Sequence, residues 1–137
     1  MRIFIADDRP RIRSAVRLLF EQEEGVSVVG EAAELEGLLA GVQALQPDIV
    51  LLDWELPGRQ GALLSAAAGR AWYGNGRQHL LSLMRALCPR LFVVALSSRP
   101  GARQEALAAG ADAFVSKGEP PEILLAAVSR CRAVGQA

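Results

Sequence analysis

Short runs of apolar residues, many of them β-branched, alternate along the chain with longer segments in which apolar residues recur at helical spacing. Near-continuous apolar runs of about four to eight residues are typical of strands that are buried on both faces of a parallel sheet. The predicted strands are residues 2–6, 26–31, 48–53, 91–97 and 112–116. Helical segments separate them, so the pattern alternates strand and helix from the first residues onward.

The predicted helices are residues 11–24, 34–46, 102–110 and 120–134. Each places its large apolar residues on one face, as a helix packed against a sheet requires. Pro47 ends the second helix, and Gly110 suits the left-handed cap at the end of the third. The segment after the fourth strand is short and contains Pro100, which predicts a truncated helix there.

The connection between the third and fourth strands is longer than a single helix needs. Residues 58–90 fill this gap, and Gly-Asn-Gly at 74–76 interrupts it. Glycine costs about 1 kcal/mol in a helix interior, and asparagine favours turns. We therefore predict two helical pieces, roughly 61–73 and 77–87, with a break between them.

Five β–α units indicate an α/β fold, a doubly wound parallel sheet covered by helices on both faces. The pattern predicts one domain over residues 1–137, with no repeat and no linker to a second domain. In such sheets the functional site lies at the carboxyl ends of the strands, where the strand order reverses. This rule locates the chemistry before any motif is considered.

Composition narrows the class of protein. Of 137 residues, 51% are hydrophobic and 22% charged, which is typical of a globular domain. Fifteen basic residues balance fifteen acidic ones, so the chain lacks the charge expected of a nucleic-acid or membrane binder. Cys88 and Cys131 have no metal-type spacing and are expected to be reduced, buried thiols in a cytoplasmic protein. No signal peptide or membrane span is predicted.

Three carboxylates follow strands that end at the same edge of the predicted sheet. Asp7 and Asp8 come after the first strand, and Asp53 ends the third. Two carboxylates about 4 Å apart repel by about 4 kcal/mol at an effective dielectric constant of 20. Oxygen ligands of this kind suit a hard cation such as Mg²⁺, which would offset the repulsion.

A hydroxyl and an ammonium group follow the other two strands at this edge. Ser97 ends the fourth strand, and Lys117 follows the fifth. Together they suit an anion, most simply a phosphoryl group. Each of these residues alone would be an ordinary polar residue at a strand end or a helix cap, and the prediction depends on their joint occurrence.

Four stretches, IADDRP, IVLLDWELPG, VVALSS and GADAFVSKGEPPEILLAAV, resemble in this order the receiver domain of two-component response regulators. The resemblance covers nearly the whole chain except an insertion at about 62–85. It implies a five-stranded, flavodoxin-like sheet of order 2-1-3-4-5. It also implies a phosphoprotein that assists its own Mg²⁺-dependent phosphorylation but is not an enzyme acting on an outside substrate.

The resemblance implies a role for each residue at the acidic edge. Asp53 would accept the phosphoryl group from the phosphohistidine of a histidine kinase. Asp8 would bind Mg²⁺ directly, and Asp7 directly or through water. The backbone carbonyl of Glu55 would complete the protein's share of the metal ligands.

On the opposite side, Lys117 would pair with Asp53 and hold a phosphoryl oxygen. Ser97 would form a hydrogen bond to the phosphoryl group, and Phe114 matches the aromatic switch residue, expected to turn inward from a more exposed position. Glu55 and Arg99 are expected at the mouth of the pocket, where their opposite charges either pair or face solvent.

The favoured function is a stand-alone receiver that switches a protein-contact surface. Its expected partners are a histidine kinase, an unidentified downstream protein and, as an option, a second copy in a homodimer, with no direct binding to nucleic acid or membrane. One alternative is the receiver part of a DNA-binding transcriptional regulator. A second is a pseudo-receiver that never takes phosphate, and a third, weaker one is a small metal-dependent phosphatase.

Overall fold

The structure, a computed structural model, describes residues 1–58 and 76–136. These residues contain a five-stranded parallel sheet of order β2-β1-β3-β4-β5. The strands are β1 Arg2–Ala6, β2 Ser27–Ala32, β3 Ile49–Asp53, β4 Phe92–Ser97 and β5 Ala113–Ser116. The predicted fold class and strand order are confirmed, and every strand boundary lies within one residue of its prediction.

Helices cover both faces of the sheet. They are α1 Pro10–Glu21, α2 Leu35–Leu45, α3 Gly76–Leu87, α4 Ala102–Ala109 and α5 Pro121–Gln136. Residues of α1 and α5 share one apolar core with the sheet, and residues of α2, α3 and α4 share the other. Among the described residues, no helix has the length and hydropathy needed to cross a membrane.

Alternation along the central strands supplies both cores. In β1, Ile3 and Ile5 pack towards α1 and α5, whereas Phe4 and Ala6 pack towards α2, α3 and α4. Successive side chains of a strand point to opposite faces, so a strand covered on both sides must be apolar throughout. This explains why the strands read as continuous apolar runs rather than as alternating patterns.

Gly110 caps α4 as predicted, whereas α1 ends at Glu21, three residues before its predicted end. Pro10 occupies the first turn of α1, where its missing N–H removes no hydrogen bond. Gly110 ends α4 with φ 110°, and its N–H donates to the carbonyl groups of Ala106 and Leu107. The helix α4 has only eight residues, which confirms the predicted truncation.

The expanded third connection is described only in its second part. The helix predicted at 77–87 is present as α3, which begins at Gly76. Its residues Leu80, Leu81 and Met84 are buried against the sheet. The predicted helical piece at 61–73 and residues 74–75 of the break predicted at 74–76 lie outside the described residues, whereas Gly76 belongs to α3.

Both cysteines have the environment predicted for them. Cys88 and Cys131 are free and buried. Burial is the main cause that raises the pKa of each thiol, which keeps both in the unreactive protonated form at neutral pH.

Close packing between β1 and α2 leads to a stability prediction. The ring of Phe4 lies against Gly41 so closely that an added Cβ would overlap it. We expect Gly41→Ala to destabilise the fold by about 1–3 kcal/mol through overpacking, although alanine favours a helix by about 1 kcal/mol. Urea denaturation measures this. Gly118→Ala is the control, because nothing lies within 4 Å of its added Cβ; a Gly41→Ala protein as stable as wild type would contradict the packing argument.

Candidate functional site

Four polar side chains meet at the carboxyl edge of the sheet. Asp7 directly follows β1, Asp53 ends β3, Ser97 ends β4 and Lys117 directly follows β5. Asp7, Asp53 and Ser97 are buried, with only 1–2% of their surface exposed. The parallel arrangement brings all four strand ends to one place, so residues far apart in sequence form one pocket.

Three carboxylates in this pocket form a candidate metal site. One oxygen from each of Asp7, Asp8 and Asp53 lies within 4.8 Å of the others. Asp8 is exposed, so the cluster opens to solvent on that side. Asp7 Oδ2 is buried and accepts no well-aligned hydrogen bond from any residue that the structure describes. A buried carboxylate oxygen without a well-aligned hydrogen bond, beside two further carboxylates, fits a divalent cation with oxygen ligands.

Lys117 supplies the positive charge already present in the pocket. Its Nζ lies 2.9 Å from Asp7 Oδ2 and 3.3 Å from Asp53 Oδ1, so one ammonium group pairs with two carboxylates. Burial acts to lower the pKa of Lys117, but the pairs with Asp7 and Asp53 outweigh burial and raise it. Lys117 therefore stays charged. It is also the only lysine in the chain.

Asp53 is a buried carboxylate that, like Asp7, accepts a hydrogen bond from a backbone N–H. The N–H of Glu55 donates to Asp53 Oδ1 over 3.1 Å. Burial raises the pKa of Asp53, helped by the charge of Asp7, and this outweighs the opposing effects of the Glu55 N–H and of Lys117. The anionic form of Asp53 is thus destabilised in the folded protein relative to a carboxylate in water.

Of the two arrangements expected at the mouth of the pocket, the structure shows the pair. Arg99 Nη2 lies 3.5 Å from Glu55 Oε2. The Ser97 hydroxyl donates a hydrogen bond to Glu55 Oε1 over 2.7 Å and accepts one from the Arg99 N–H over 2.9 Å. Ser97 is therefore engaged with Glu55 rather than with Asp53.

Two residues that sequence reasoning missed complete this arrangement. Glu105, in the first turn of α4, accepts two hydrogen bonds from the Arg99 guanidinium, over 2.9 Å and 2.6 Å. Trp54 is buried, and its indole Nε1–H donates to Glu105 Oε2 over 3.2 Å. The available signal was the tryptophan beside Asp53, since a buried indole N–H requires an acceptor.

Phe114 is buried, with 9% of its surface exposed. Its expected turn from a more exposed position on phosphorylation compares two states and stays a prediction. The guanidinium carbon of Arg103 lies 5.1 Å from the ring centroid and covers it as a cation–π contact. The roles of Phe114 as a switch and of the Glu55 carbonyl as a metal ligand stay predictions.

An arginine of α1 supports the acidic edge from outside. Arg13 donates to the backbone carbonyl of Asp7 over 2.7 Å and pairs with Glu31 at 3.2 Å. These contacts tie the end of β1 to α1 and β2. The loop that carries Asp7 and Asp8 is thereby held in place.

A comparison with known families decides the classification. The family model described as response regulator receiver domain matches residues 3–71. The chain belongs to this family. The matched segment of the receiver domain contains Asp7, Asp8 and Asp53, whereas Ser97 and Lys117 lie beyond it and join the site through the fold.

Relatives of the receiver domain are response regulators. The nitrate/nitrite response regulator NarL of Escherichia coli is 31% identical over 96% of this chain and 54% of its own length. The chain thus spans about half the length of the curated relatives it matches. The receiver domain of the putative response regulator NarL from Mycobacterium tuberculosis superposes with a TM-score of 0.74 at 26% identity, over 95% of this chain and 94% of that one.

A third similar structure comes from a longer protein. RcsB from Salmonella enterica serovar Typhimurium was solved bound to promoter rprA in the presence of the phosphomimetic BeF3⁻. It superposes with a TM-score of 0.75 at 26% identity, over 95% of this chain and 67% of that one.

Proposed function

We propose that this receiver domain accepts a phosphoryl group on Asp53 from the phosphohistidine of a histidine kinase. The observation that supports this most directly is the buried Asp53 carboxylate, flanked by Lys117 at 3.3 Å and by Asp7 and Asp8 within the acidic cluster. This arrangement offers a nucleophile beside groups that neutralise the charge of a phosphoryl group. We assign residues 1–137 to one such domain, with the insertion at about 62–85.

The proposed transfer needs little covalent assistance. An oxygen of Asp53 forms a bond to phosphorus while the N–P bond of phosphohistidine breaks, and its electron pair remains on the imidazole nitrogen. A carboxylate attacks without a general base, so positioning and charge neutralisation are the main requirements. Lys117 would hold one phosphoryl oxygen and neutralise part of its charge.

The acidic cluster provides the proposed place for Mg²⁺. Asp7, Asp8, Asp53 and the Glu55 carbonyl would hold the ion, and the buried Oδ2 of Asp7, which accepts no well-aligned hydrogen bond from the described residues, supports this assignment. When bound, Mg²⁺ neutralises the charge that gathers around the phosphoryl oxygens. The pocket and the ion together make the domain a phosphoacceptor rather than an enzyme for an outside substrate.

The proposed output is a change of surface at β4, β5 and α4. Ser97 would turn to the phosphoryl group, and Phe114 would change its packing as a switch residue. Such a change is a population shift, because the phosphoryl group binds one of two conformers better. The partner that recognises the new surface is an unidentified downstream protein.

A DNA-binding regulator is the second candidate function, and the relatives favour it specifically. Several are transcriptional regulators by name, and RcsB was solved on a promoter. The expectation of no nucleic-acid role is therefore restricted to the receiver, whose formal charge is zero. The gene's reading frame distinguishes the two candidates, since the regulator requires a DNA-binding segment in the same chain.

Intact-mass measurement tests the main proposal. We expect a small phosphodonor such as phosphoramidate to add one phosphoryl group to the chain in the presence of Mg²⁺ and none after chelation. Uptake without a divalent cation would contradict the role of the acidic cluster. Absence of uptake under all conditions would favour the pseudo-receiver.

A further inference from the structure

The hydroxyl group of Ser97 has its hydrogen committed in the structure. Ser97 Oγ donates to Glu55 Oε1 over 2.7 Å and accepts from the Arg99 N–H over 2.9 Å. Ser97 is 1% exposed, so water has little access to replace either partner. The short distance to a carboxylate is typical of a charge-assisted hydrogen bond.

A phosphoryl group on Asp53 would need this same hydrogen. A serine hydroxyl has one hydrogen to donate, and phosphoryl oxygens, like the Glu55 carboxylate, can only accept. The Arg99 N–H already occupies a lone pair of Oγ. Glu55 and the phosphoryl group therefore compete for one donor.

Glu55 is held in its position by a chain of contacts that reaches α4. Arg99 lies 3.5 Å from Glu55 and forms two hydrogen bonds to Glu105. Trp54 donates a hydrogen bond to the Glu105 carboxylate from the buried side. The hydrogen bonds from Arg99 and Trp54 lower the pKa of Glu105 to about 2, so this anchor stays ionised at neutral pH.

We propose that the Glu55 side chain is a positioning residue that holds the Ser97 hydroxyl away from the phosphoryl site until a phosphoryl group on Asp53 displaces it. This inference rests on the proposed function, and it adds a role for the Glu55 carboxylate to the one expected of its carbonyl. Once the phosphoryl group displaces it from Ser97, Glu55 contacts Arg99 alone. Phosphorylation therefore changes the contacts of Arg99, which links the end of β4 to α4.

The test is a titration with beryllofluoride, a phosphoryl mimic, at saturating Mg²⁺. The chain has two tryptophans, Trp54 and Trp72. In a Trp72→Phe background the fluorescence of Trp54, next to Asp53, reports binding. We expect Glu55→Ala to lower the half-saturating concentration about threefold to tenfold, because the mimic no longer competes with a charged acceptor. Glu55→Gln, which keeps an acceptor without the charge, should give a smaller gain.

Two controls separate competition from a general effect of charge. Glu119→Ala removes a carboxylate at the same edge that pairs with Arg103 instead of Ser97, and should leave the affinity unchanged. In a Ser97→Ala background, Glu55→Ala should give no gain in affinity for beryllofluoride. In a Ser97→Thr background, which has a hydroxyl group, Glu55→Ala should again raise the affinity. An equal gain with and without the hydroxyl would overturn the inference.

The remaining outcomes are also distinct. If wild type binds the mimic and Glu55→Ala binds it with the same affinity, the inference is overturned and the proposed function stands. If wild type with Mg²⁺ neither binds the mimic nor takes up a phosphoryl group, the proposed function is overturned and this inference with it.

Discussion

Asp53→Asn is expected to abolish uptake of the phosphoryl group. An amide oxygen is a poor nucleophile, and no other described carboxylate has both the Lys117 ammonium at 3.3 Å and a backbone N–H on the same oxygen. Incubation with phosphoramidate and Mg²⁺, followed by intact-mass measurement, should show the wild-type mass increase and none for the variant. Labelling of Asp53→Asn at the wild-type rate would rule out Asp53 as the acceptor.

Asp48→Asn is a matched control for this experiment. Asp48 precedes the other end of the same strand, is exposed and accepts a hydrogen bond from the Arg2 N–H over 2.7 Å. It carries the same charge as Asp53 but lies at the amino edge of the sheet. Its loss should leave the mass increase unchanged, so an effect of Asp53→Asn can be assigned to position rather than to net charge.

Asp53→Asn is expected to stabilise the fold, although it abolishes uptake of the phosphoryl group. Burial raises the pKa of Asp53 in the folded protein, so the ionised carboxylate disfavours folding. Its contribution is favourable below the unfolded pKa of about 3.9 and is lost as pH rises through the higher folded pKa. Because Lys117 keeps its pair with Asp7, Asp53→Asn should thus be more stable than wild type at pH 7 by about 1 kcal/mol, and the gain should vanish as pH falls towards about 4. Urea denaturation at both pH values measures this.

The sheet was predictable because its information is local. Runs such as residues 48–53 and 91–97 must be apolar on both faces to fill two cores, and this constraint is visible without knowing the neighbours. The site followed from the same fact, since a parallel sheet brings Asp7, Asp53 and Lys117 to one edge whatever the details of packing.

The details that were missed depend on side-chain directions between elements that are distant in sequence. Alternation along β5 assigns Phe114 to a face but does not say that Arg103 from α4 covers the ring. Likewise, Glu105 meets Trp54 across 51 positions of sequence, through a contact set by how α4 docks on the sheet. Patterns of hydrophobicity carry no information about such pairs.

Lys117→Met is expected to destabilise the protein by about 2–3 kcal/mol at neutral pH. The substitution keeps the length of the side chain but leaves Asp7 and Asp53, both nearly buried, without their cation. Removing one partner of a buried ion pair costs about 3–5 kcal/mol. Because the cluster opens to solvent at Asp8, we expect a cost at or below the lower end of this range. Urea denaturation measures the loss. Arg17→Met, which removes a partly exposed arginine paired with Glu31 and Glu21, should cost at most about 1 kcal/mol.

The dependence of this loss on pH and on Mg²⁺ identifies its cause. The two carboxylates raise the pKa of Lys117, so its stabilising contribution is complete below the unfolded pKa of about 10.4 and is lost as pH rises through the higher folded pKa. The difference between wild type and Lys117→Met should therefore be constant from neutral pH to about pH 10 and shrink above it. Mg²⁺ should recover part of the stability of the variant, because a second cation can neutralise the same oxygens. A loss that is independent of both alkaline pH and Mg²⁺ would mean that the side chain stabilises the fold by packing its methylene groups, and that its charge contributes nothing.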